Sequence, residues 1–215
     1  MQNLDTIAER IRANLSAKNA ARDTAVERSR TLIRHCSLAI RAAHRDERAE
    51  ARQQIAAAGQ IVAAIRADLA PYPDLYYAGY TQDALKEFAE ANIVYALLGD
   101  EALPEPEALG VEYAAYLNGL GEAAGELRRR CLDVMRQDHS DAAERLLEAM
   151  DDIYLILVTM DYPDAITGGL RRTTDLVRGV TERTRGDLTT SLRQARLQEA
   201  LRALEARVAG GPDGA

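Results

Sequence analysis

Apolar positions recur at helical spacing along almost the whole chain. Over residues 3–47, Leu4, Ile7, Ile11, Leu15, Leu32, Ile33, Cys36, Ile40 and Ala43 alternate with charged positions and predict one long helix. A second helix is predicted over 48–69; it stops before Pro71 and Pro73, since the residue ahead of a proline disfavours helical backbone. "PYPDLYYAGY" reads as a turn and a helix start, followed by a third helix over 75–99. "GDEALPEPEALG" is a loop with two prolines, after which a fourth helix is predicted over 109–138 and a fifth over 140–160. "DYPDAITGG" breaks the chain again, and a sixth helical region covers 165–208, with an interruption expected near Gly186. Nothing alternates at the period of a strand. The pattern predicts an all-α, single-domain bundle of six to seven long helices over 1–208, with 209–215 as a disordered tail.

Composition strengthens this reading. Ala, Leu, Arg and Glu dominate the 215 residues, Trp is absent and Phe occurs once, which suits helices rather than sheets. The formal net charge of −7 argues against indiscriminate binding to nucleic acid but leaves room for a local basic surface. Cys36 and Cys131 form no CxxC pair and sit among apolar residues, so both are expected to be free, buried thiols of a reducing, cytoplasmic compartment. The N-terminus is charged and amphipathic rather than a leader, and no apolar run approaches the about 20 residues of a membrane span. The longest such run, Ile153–Met160, is expected to be a buried helix segment.

The acidic residues hold the candidate chemistry. In the third helix Tyr80, Ala84, Ala91, Val94 and Leu98 form an apolar stripe, and Glu87 falls inside it. A carboxylate on an apolar face is costly unless it is paired or bound to a cation. Glu90 falls on the flank of the stripe, where an acid is ordinary. In the fourth helix Tyr113, Leu117, Leu120, Ala124, Leu127 and Cys131 make the main apolar stripe. Glu122 and Glu126 fall roughly opposite, beside Ala115, Gly119, Arg129 and Asp133. The glycines within "GLGEAAGEL" cost about 1 kcal/mol each relative to alanine, so a close approach of another helix or a ligand is expected there. Spacing leaves two readings open: four glutamates solvated or paired with arginine, or four glutamates meeting across the bundle to hold a hard divalent ion. A ferritin-type centre is excluded, since neither His35, His44 nor His139 has a glutamate three residues before it.

Several of these segments resemble the translin/TRAX family. "LKEFAEA" (85–91) is similar to its "QEYxEA" signature, and "YLNGLGEAAGELRRRCLDVM" (116–135) to its "YLxGxxDxxGELxRxxxN" helix. "LIRHCSLAIRAAHR" (32–45) resembles the N-terminal helix that ends in His-Arg, and "DLVRGVTERTRGDL" (175–188) the final helices. The resemblance implies a translin-like bundle, a hollow homo-oligomer of octamer type, and single-stranded RNA, or single-stranded DNA, as partner. Translin-type subunits bind nucleic acid without the acidic cluster; TRAX-type subunits carry it and cut RNA. Here all four positions are acidic, so the chain looks TRAX-like. The missing inserted loop between the third and fourth helices points to an archaeal or bacterial source.

By the same resemblance Glu87, Glu90, Glu122 and Glu126 would be the catalytic residues and the ligands of Mg²⁺ or Mn²⁺. Glu122 stands where the family has aspartate. The implied activity is metal-dependent endoribonuclease cleavage, with a non-catalytic nucleic-acid-binding protein as the alternative. Candidate phosphate contacts are Arg129, Arg130, Arg41, His44, Arg45, Arg171, Arg172 and Arg178, each also readable as a solvated or paired side chain. Tyr72, Tyr76, Tyr77, Tyr80 and Tyr95 are candidates for stacking on bases or for packing in the core.

Overall fold

The computed structural model describes residues 3–137 and 140–209. Among these, every regular element is helical. Six long helices, α1 (Leu4–His44), α2 (Arg48–Leu69), α4 (Gly79–Leu98), α6 (Tyr113–Met135), α7 (Ser140–Leu157) and α9 (Leu170–Ala209), are joined by single-turn helices α3 (Pro73–Tyr76), α5 (Pro106–Leu109) and α8 (Asp164–Thr167). The expected tail lies outside the described residues except for Ala209, the last residue of α9.

The breaks follow the prolines and glycines, with shifts from the expected bounds. Pro73, Pro106 and Pro163 each stand at or just before the first turn of a short helix, where a fixed φ and a missing N–H cost nothing. The fourth helix does not run from 109, because Gly110 adopts the left-handed conformation (φ 66°) and ends α5. Gly168 does the same after α8 (φ 62°), so the last long helix starts at Leu170. Gly186 interrupts nothing: α9 passes through it unbroken, an exposed glycine weakening a helix without breaking it.

Helix α4 lies at the centre, packed against α1, α2 and α6; α6 in turn packs against α7 and α9. The core runs through Leu32, Cys36, Ile65, Leu85, Ile93, Val94, Leu127 and Met150, all close to fully buried. Both cysteines are buried and free. Two expectations need correction. The apolar run Ile153–Met160 is not buried as a unit: α7 ends at Leu157, Ile153 and Leu157 are buried, Tyr154 and Met160 pack half-buried against the core, and Leu155, Ile156 and Val158 are at least half exposed. An amphipathic helix buries one stripe, and four of every seven residues face elsewhere. Similarly, Tyr113 opens α6 on the solvent side rather than in its apolar stripe.

The approach of α6 to α4 depends on Gly119. A Cβ there would lie 2.8 Å from the Lys86 carbonyl oxygen and 2.9 Å from the Glu90 backbone nitrogen. Only a glycine lets the two backbones come this close. Gly121 is tight as well, against the Thr173 methyl of α9. Gly125 is exposed, with nothing near it. The expected close approach thus holds for the first two glycines and not for the third.

Candidate metal centre and its surroundings

Because α4 is covered on several sides, its sequence stripe misjudges which acid is buried. Glu90, expected on an ordinary flank, is the buried one at 8% exposure, whereas Glu87 keeps about a quarter of its side chain in solvent. The Gly119 contact explains the reversal, since it lays α6 directly over the face that carries Glu90.

Glu87 and Glu90 from α4 meet Glu122 from α6. One carboxylate oxygen of each lies within 4.8 Å of the other two. The cost of this gathering shows in the protonation of the two α4 acids. Burial, then the charges of Glu87, Glu122 and Glu126, push the Glu90 carboxyl up to about 8. Burial also raises Glu87, against the pull of Lys86. Three convergent oxygen donors, those of Glu87 and Glu90 driven toward the protonated form, are a donor set that a hard divalent cation accepts, so these residues fit Mg²⁺ or Mn²⁺.

Sequence reasoning missed Lys86. Its Nζ donates to Glu122 Oε1 at 2.6 Å and lies 3.5 Å from Glu87 Oε1. Burial works against the ammonium, but the bond and charge of Glu122, with Glu87 and Asp83, outweigh it and hold its pKa above the ordinary lysine value. The signal was adjacent to Glu87 in "LKEFAEA", where the family signature has glutamine.

Glu126 stands apart from the trio, though close enough for its charge to act on Glu90. Its Oε2 lies 2.5 Å from His44 Nε2 at the end of α1 and 3.7 Å from Arg129 Nη1. The His44 bond holds the Glu126 carboxyl below its usual value despite partial burial, and Arg129 adds to the effect. Since an ionised carboxylate only accepts, Nε2 carries the proton in this bond. The His44 side chain is 4% exposed, so it faces the glutamate rather than solvent. Arg130 ties the same corner together: Nη1 donates to the His44 carbonyl and Nη2 to both carboxylate oxygens of Asp46. Asp46 has a left-handed backbone (φ 59°) in the turn after α1.

Of the remaining candidates for phosphate contact, Arg129 and Arg41 are exposed. Arg45 is exposed and bound to Glu47. Arg171, Arg172 and Arg178 lie exposed on the first half of α9, where Arg171 pairs with Asp161 and Arg178 with Glu182. Among the described residues, none of these three touches the four glutamates. Tyr95 is buried, with the Arg48 guanidinium carbon 3.5 Å from its ring centroid, and Tyr72, Tyr76 and Tyr80 pack against the core; Tyr77 is exposed.

An all-α bundle of this architecture has the translin-like fold. No family model matches the chain. An uncharacterized protein of Methanocaldococcus jannaschii is 30% identical over 193 residues, which cover 89% of this chain and 85% of that one. Two solved structures of AfC3PO, one of them a complex with duplex RNA, superpose with a TM-score of 0.80 at 32% identity, over 88% of this chain and 98% of theirs. Apo-NeC3PO superposes with a TM-score of 0.77 at 21% identity, over 89% of this chain and 98% of its own, which shows the shared fold alone. The chain belongs to the translin/TRAX family. Among the described residues no helix is long and apolar enough to cross a membrane.

Proposed function

We propose that the protein is a metal-dependent endoribonuclease that binds RNA inside an octamer-like homo-oligomer. The observation that carries this reading is the convergence of Glu87, Glu90 and Glu122 within 4.8 Å. The complex of the similar AfC3PO with duplex RNA supports RNA as the ligand. Bound Mg²⁺ or Mn²⁺ would polarise a phosphodiester and lower the pKa of a water molecule. Glu87, Glu90 and Glu122 are the residues that would hold the ion. Glu126, ionised and fixed by His44, sits beside them and can orient a water or accept its proton. The exposed Arg129 guanidinium, next to Glu126, offers a phosphate contact.

One observation favours a second reading. The Lys86 ammonium already offsets two of the acids without any ion, as a purely RNA-binding protein would need. Incubation with labelled single-stranded and duplex RNA, in Mg²⁺, Mn²⁺ or EDTA, separates the two. Metal-dependent cleavage by the wild type and none by Glu90→Gln supports the enzyme. RNA binding without cleavage under every condition supports the second reading. Comparison of the two RNAs, with single-stranded DNA as a third arm, assigns the preferred strand form.

A further inference from the structure

Lys86 occupies an unusual place. Its ammonium lies at 2.6 Å and 3.5 Å from carboxylates on two different helices, both members of the convergent trio. Its side chain is only 21% exposed, so this is not a solvated surface pair. The third acid, Glu90, is buried. A divalent ion drawing on Glu87 and Glu122 would draw on the same carboxylates that Lys86 engages. Ion and ammonium repel at this range, and in a half-buried site screening is weak. The ammonium must therefore leave when the ion enters. Lysine can do so, having a long flexible stem and a point charge with no fixed geometry. Once displaced, it needs another anion, and a phosphate oxygen of bound RNA is the anion the proposed function brings to this position.

We propose that Lys86 is a resident counter-ion that a divalent metal must displace, and that its transfer to an RNA phosphate couples metal binding to RNA binding. The inference rests on the metal-dependent reading above. Its consequence is that the site stays electrostatically satisfied while empty of RNA and takes up the ion more readily once RNA is bound. By linkage, RNA binds more tightly once the ion is present.

The test is calorimetric titration of the full chain with Mn²⁺, with and without a 2′-O-methyl oligoribonucleotide that resists cleavage. Wild type is compared with Lys86→Met, Lys86→Gln and Lys86→Arg, each checked for helix content and melting. Without RNA, Lys86→Met and Lys86→Gln should bind Mn²⁺ on the order of tenfold more tightly than wild type, as expected when a nearby like charge is removed. Lys86→Arg, which keeps the charge, should stay near wild type. The oligoribonucleotide should tighten Mn²⁺ binding to wild type by several-fold, a typical coupling, and markedly less to Lys86→Met. Equal Mn²⁺ affinity in wild type and both neutral variants overturns the competition and leaves Lys86 a structural ion pair, with the endoribonuclease reading intact. Tighter binding with unchanged RNA coupling overturns the transfer to phosphate. No Mn²⁺ binding by any variant overturns the proposal together with the metal reading on which it rests.

Discussion

The four glutamates divide into two regions that solve the same electrostatic problem differently. Glu126 is paired with His44 and Arg129, and its carboxyl is held below the usual range. Glu87, Glu90 and Glu122 share a single ammonium, and Glu90 is driven up to about 8. One region is charge-balanced by the chain itself; the other has one ammonium for three carboxylates. On the proposed reading, that deficit, rather than the number of acids, is what a divalent ion would make good. The balanced region reads as a positioning device beside it.

The comparison breaks most readily at Glu90. Glu90→Gln should lower Mn²⁺ affinity on the order of a hundredfold, whereas Glu126→Gln should cost about tenfold or less, since groups beside a metal site act more weakly than its ligands. Calorimetric titration of both variants checks this, and equal losses would merge the two regions into one.

Their pH dependence should run in opposite directions. Glu90 binds its proton more tightly in the folded chain (about 8) than at its ordinary value of 4.5. It therefore stabilises the fold fully below about pH 4.5, and this contribution disappears as pH rises through about 8. Glu126, lowered by His44, stabilises the fold above its ordinary pKa and loses that contribution as pH falls through its depressed value. In EDTA, Glu90→Gln should raise the melting temperature at pH 9 by several degrees, roughly what one or two kcal/mol produce in a chain of this size. At pH 7, Glu126→Gln should lower it. Melting curves between pH 4 and 9 distinguish the slopes.

The balanced corner should also depend on its histidine. His44→Ala leaves Glu126 partly buried without its closest partner and should cost about 1–3 kcal/mol, measured by denaturant unfolding. At the smaller end, the glycines should separate. Gly119→Ala drives a Cβ into the α4 backbone and should cost about 1–3 kcal/mol, with weaker Mn²⁺ binding as the helices part. Gly125→Ala meets open space and should stabilise the fold by up to about 1 kcal/mol.

Most of the helical layout was legible in the sequence, because prolines and glycines mark its breaks. Gly110 and Gly168 were harder, since a glycine can sit inside a helix or end it in a left-handed turn, and the packing of the neighbouring helices decides between the two. The acids were legible as residues but not as a geometry. A helical wheel assigns each position one face, and it placed Glu87 inside the stripe and Glu90 on its edge. In the bundle α4 has neighbours on several sides, and Gly119 brings one of them directly over Glu90. The roles of Lys86 and His44 required contacts 36 and 82 residues apart in sequence, beyond any periodicity.

The most direct measurement is a crystal soaked in Mn²⁺ and recorded at a wavelength where manganese scatters anomalously. The expected result is an anomalous peak bounded by the Glu87, Glu90 and Glu122 carboxylates, with the Lys86 ammonium moved off Glu122. An absent peak, with Lys86 still bridging Glu87 and Glu122 at saturating Mn²⁺, would contradict the claim that this trio is a metal centre.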